Sequence, residues 1–167
     1  MLADLVAADG AAVPPETVHA RSAGRRAAQA LVSGSCDQAA THLHSVLGFG
    51  PGTTPSGDDV AAGVLLAAHA LLGGDADRGV AGRLGAAVVA AARERTGAVS
   101  LAMLDEARYG RGTEVAVRTV DALLGRGAAL VAFSDLLAVG HHSGADMAAG
   151  IVALAQALSR RDPVARG

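Results

Sequence analysis

The chain has 167 residues, 51% hydrophobic and 18% charged, which is enough apolar material for one core in one domain. Its net charge is -2 and its 14 basic residues are all arginine, scattered along the chain. It therefore has neither the basic footprint of a nucleic-acid binder nor a lysine for Schiff-base chemistry or a Walker-type phosphate loop. With no Trp, one Tyr and two Phe it lacks base-stacking platforms, and the single cysteine, Cys36, excludes an internal disulfide and a thiolate zinc cluster.

The apolar residues are mostly Ala, Leu and Val, a mixture that suits closely packed helices. Residues 1 to 15 read as a short arm ending at Pro14-Pro15, where paired prolines break one element and can open the next. Glu16 to about Ser33 has a helical pattern, with Val18, Ala27, Ala30 and Leu31 on one side and Arg21, Arg25 and Arg26 on another. A short helix follows from about Asp37 to Leu47, then a long Gly/Pro/Thr loop, then a helix reaching Leu72. Gly73-Gly74-Asp75 is a turn, and Asp77 to Arg95 is helical, with Val80, Leu84, Val88 and Ala91 in period. Three more helices are predicted over about 98–109, 113–124 and 128–139, the second capped by Thr113. The last runs over about 145–159, before a polar tail from residue 161. No stretch alternates with period two for long, so the expected fold is an all-α, single-domain bundle of seven or eight helices spanning residues 16–160. The first residues carry no basic-then-apolar signal, and the oily run from Val60 to Leu72 falls short of the roughly 20 residues that span a bilayer, so a cytoplasmic protein without membrane contact is expected.

One phrase occurs twice. Ser56-Gly57-Asp58-Asp59-Val60-Ala61-Ala62-Gly63 returns as Ser143-Gly144-Ala145-Asp146-Met147-Ala148-Ala149-Gly150, each copy behind a glycine-bearing approach. Ser-x-x-Asp before an apolar run fits a capping box, in which serine and carboxylate answer each other's backbone donors and do nothing more. Three features point further. The loop from Gly50 through Gly52, Thr53 and Thr54 to Ser56 and Gly57 brings bare amides and hydroxyls to a helix start, which suits a small anion. Asp58 beside Asp59 either repels that anion or holds a divalent ion such as magnesium. Gly63 and Gly150 sit inside helices, where Gly costs about 1 kcal/mol relative to Ala unless two helices touch backbone to backbone. Such a crossing would bring both corners, including Ser143, Gly144 and Asp146, to one pocket. His141 and His142 precede the second copy and are candidates for proton transfer beside Asp59 and Asp146. Thr96 and Ser100, four apart, could present hydroxyls to the same ligand.

In order along the chain, Gly50-Pro51-Gly52-Thr53-Thr54-Pro55-Ser56-Gly57-Asp58-Asp59, Thr96-x-x-x-Ser100 and Gly140-His141-His142-Ser143-Gly144-Ala145-Asp146 resemble the AllH-type family, a domain of unknown function associated with the oxamate carbamoyltransferase complex. The resemblance spans about residues 40–155. It implies a subunit that works with partner proteins, or in an oligomer, to move a carbamoyl group between carbamoyl phosphate and oxamate, both small anionic metabolites. Members usually carry a further N-terminal region, which this chain is expected to lack, and Thr53 stands where Leu is common. Two other expectations stay open: a magnesium-dependent all-α hydrolase resembling ADP-ribosylglycohydrolases, and a non-catalytic helical partner whose two boxes are only caps.

Overall fold

The computed structural model describes residues 13–73 and 79–161. Most of the expected N-terminal arm, the residues of the turn after Gly73, the start of the helix expected from Asp77 and the tail beyond Arg161 lie outside them. The described residues form eight helices and no strand: α1 (Pro15–Val32), α2 (Cys36–His44), α3 (Ser56–Leu72), α4 (Val80–Ala92), α5 (Ala98–Ala107), α6 (Glu114–Leu123), α7 (Ala129–Leu137) and α8 (Ser143–Arg161). Thr113 caps α6 as expected, its hydroxyl accepting from the Ala116 amide at 3.3 Å. The final helix starts two residues earlier than the sequence pattern suggests and runs to Arg161.

Every residue of α3 from Ser56 to Ala68 is buried, so its whole circumference faces protein. A helix apolar all round belongs at the centre of a fold, and α1, α4, α5, α6 and α8 all pack against it. The closest of these is α8. A side-chain carbon on Gly63 would be driven into the carbonyl of Met147, and one on Gly150 into the carbonyl of Val60. The two glycines thus mark a backbone-to-backbone crossing between helices that carry the same octapeptide. Val60, Val64, Leu65, Ile151 and Leu154 extend this contact into the main core, where each fully buried branched side chain contributes about 1.5–3 kcal/mol. α1 lies across both α3 and α8, presenting the buried small residues Ala20, Ala23, Gly24 and Ala27. Among the described residues no helix is long and apolar enough to cross a membrane.

Candidate functional site

In both copies of the repeat the serine is the first helical residue, not the residue before the helix. Pro55 stands at the cap position of α3, with φ -56 at the equivalent Pro14 of α1 and -55 here, and no side chain caps α3. The expected capping box is therefore not formed there: Ser56 bonds to the Thr17 hydroxyl of α1 at 3.0 Å, and Asp59 turns to the opposite corner. Each corner is clamped from behind by the preceding helix. A side chain on Gly57 would collide with the Val46 carbonyl just after α2, and one on Gly144 with the Leu136 carbonyl of α7. Gly57 also donates to Phe49 at 3.1 Å and Gly144 to Val139 at 3.0 Å. Two helix-loop-helix units, α2–α3 and α7–α8, thus present their second helices to each other in the same way.

The corners meet. Thr54 of the first loop and Ser143 of the second corner share a hydroxyl-hydroxyl bond of 3.1 Å, and both hydroxyls lie against the Asp59 carboxyl. On the other side, Arg21 Nε of α1 donates to Asp146 Oδ1 at 2.7 Å. Asp59 is 2% exposed and Asp146 0%. One oxygen of each, Asp59 Oδ2 and Asp146 Oδ2, is buried and has no hydrogen-bond partner, a costly condition for a carboxylate. Burial, with lesser contributions from the neighbouring Asp146 and Asp58 charges, pushes the Asp59 carboxyl up to about 7, against the pull of the Ser143 and Thr54 hydroxyls. A carboxyl that titrates there exchanges its proton near neutral pH.

The other expected site residues separate into groups. Asp58 does not face Asp59: successive helical residues point roughly 100° apart, and Asp58 takes the Gly48 amide at 2.8 Å and the Thr96 hydroxyl. The pair expected to hold a divalent ion is thus divided between two neighbourhoods, and among the described residues no three His, Cys, Asp or Glu side chains converge with metal-ligand geometry. Thr96 and Ser100 support the loop from behind, Ser100 hydroxyl to Thr53 carbonyl at 3.4 Å. Thr53 itself is exposed. The amides of Gly50, Gly52, Thr53, Thr54 and Ser56 donate to no backbone acceptor among the described residues. His141 is exposed and His142 half-buried; their rings lie 4.6 Å apart, and while the His142 carbonyl accepts from the Asp146 amide at 2.9 Å, neither ring hydrogen-bonds to the Asp59 or Asp146 carboxyl. Thr17 and Arg21 were absent from the residues expected at the site. Their one sequence signal is a four-residue spacing beside the small residues Ala20 and Gly24.

A family model described as oxamate carbamoyltransferase subunit AllH matches residues 46–155. The chain belongs to the AllH family. No curated protein and no solved structure matches it. The AllH match takes in both corners, Thr96, Ser100 and the crossing glycines, and stops short of α1. Thr17 and Arg21 therefore reach the AllH segment from outside it.

Proposed function

We propose that this AllH-family chain is a subunit of a carbamoyl-transferring assembly, and that it holds a small anion bearing a carbamoyl or primary amide group where the two corners meet. The observation that carries this reading is the pair of unpartnered oxygens, Asp59 Oδ2 and Asp146 Oδ2. Buried acceptors call for donors, and the family's named substrate, oxamate, has an amide NH₂ at one end and a carboxylate at the other. The unbonded amides of the Gly50–Ser56 loop, at the N-terminus of α3, suit the anionic end. The carboxylates do not repel it, because Arg21 offsets the charge of Asp146 and Asp59 is about half protonated near pH 7. In carbamoyl transfer the attacking nitrogen forms a bond to the carbamoyl carbon and sheds a proton while the phosphate oxygen leaves. A carboxyl titrating near 7 suits that proton.

Isothermal titration of the full chain, with and without Mg²⁺, tests the reading. Oxamate and carbamoyl phosphate are expected to bind, and oxalate and phosphate, which lack the NH₂ donors, at least tenfold more weakly. Asp146→Asn is expected to weaken oxamate binding while keeping the fold. Equal binding of oxamate and oxalate, or silence for all four, would overturn it.

A further inference from the structure

The end of the α1–α8 pair away from the corners has a different chemistry. Arg160 lies fourteen residues after Asp146 on α8, roughly 21 Å along the helix. There the two helices border a groove of about 490 Å³. Arg25 and Gln29 of α1 line it from one side and Gln156, Arg160 and Arg161 of α8 from the other, and none of the described lining residues is acidic. Arg161 is fixed by donating to the Val32 carbonyl at 2.7 Å. Several arginines elsewhere in this acidic chain sit against carboxylates, Arg108 on Asp105, Arg111 on Glu106, Arg118 on Asp135 and Arg126 on Asp121, whereas Arg26 bonds the Ser22 hydroxyl and Arg95 the His44 carbonyl. Among the described residues Arg25 and Arg160 have no such partner. Ala153 and Ala157 give the groove an apolar floor beneath these donors.

Three guanidinium groups, with no carboxylate among the described residues of the lining, favour a multiply charged oxyanion, which Arg binds through paired N–H donors. The volume falls within the range of pockets that take a whole organic ligand and exceeds what a lone phosphate would fill. We infer that this groove binds an organic phosphate of nucleotide size, its phosphates on Arg25, Arg160 and Arg161 and its body over Ala153 and Ala157. The site is separate from the corners and does not depend on what they bind.

Equilibrium titration of the full chain with ADP and with pyrophosphate at physiological salt tests the inference. ADP is expected to saturate a single site and to bind at least tenfold tighter than pyrophosphate. The double variant Arg25→Gln/Arg160→Gln is expected to weaken ADP at least tenfold without changing the thermal midpoint. Ala157→Leu, which fills the floor and leaves every arginine in place, is expected to weaken ADP but not pyrophosphate. No saturable ADP binding, pyrophosphate binding as tightly as ADP, or ADP binding unaffected in both variants would overturn it.

Discussion

The first and second corners carry the same serine, glycine and aspartate on the same helix start, each clamped by the helix before it, yet their carboxylates meet different company. Asp59 faces two hydroxyls from the loop and the opposite corner. Asp146 faces a guanidinium from α1. Repetition in sequence has thus fixed the backbone twice, while the chemistry of each copy is decided by elements outside the repeat. The half with the cation holds a paired charge. The half without one holds a carboxyl that burial raises to about 7.

Removing the cation should disturb this contrast most. Arg21→Gln leaves Asp146 buried without its counter-charge, and chemical denaturation is expected to show a loss of about 3–5 kcal/mol. Adding Asp146→Asn should recover most of it, and a double variant no better than the single would argue against the pairing.

Asp59 gives the next largest effect, through pH. Its folded value of about 7 lies above the ordinary 3.8, so the protonated form is favoured by folding. The stabilisation is fully present below pH 4, where the carboxyl is protonated in both states, and is lost as pH rises through about 7. Stability should fall across that window by on the order of 4 kcal/mol. Asp59→Asn, neutral at every pH, should flatten the profile of melting temperature against pH.

The crossing comes third. Gly63→Ala and Gly150→Ala each force a methyl group onto the opposite backbone, with an expected cost of about 2 kcal/mol in denaturation experiments. Comparable costs in the two variants would bear out the equivalence of the two helices, and a large disparity would break it. The smallest effect is expected for Thr17→Val, which removes the bond to Ser56 and should cost about 1 kcal/mol. This tests whether α1 steadies the first corner as it does the second.

The helices were legible in the sequence because glycine, proline and threonine punctuate it clearly, and the meeting of α3 with α8 was legible because two glycines inside helices need a reason. The role of each aspartate was not. A Ser-x-x-Asp pattern describes local donors and acceptors, and here Pro55 takes the cap position, so that Ser56 and Asp59 turn to partners elsewhere. The Arg21–Asp146 contact joins residues 125 apart, a distance over which periodicity carries no information. Adjacent Asp58 and Asp59 suggested one cluster, but a helix sends neighbouring residues to different sides, and Asp58 became a strut between the loop and Thr96. The histidine pair shows the converse: closeness in sequence to Ser143 gives neither ring a hydrogen bond to the Asp59 or Asp146 carboxyl, and the two rings lie against each other.

The approximate dyad between the corners has a consequence for any guest that settles on it. A perfectly even cradle would accept a two-ended molecule in either direction, and half the encounters would then point the wrong atom at a reaction partner. With a guanidinium behind one wall and only hydroxyls behind the other, heads and tails differ in energy. Directionality at this spot therefore comes from a helix that the repeated phrase does not include.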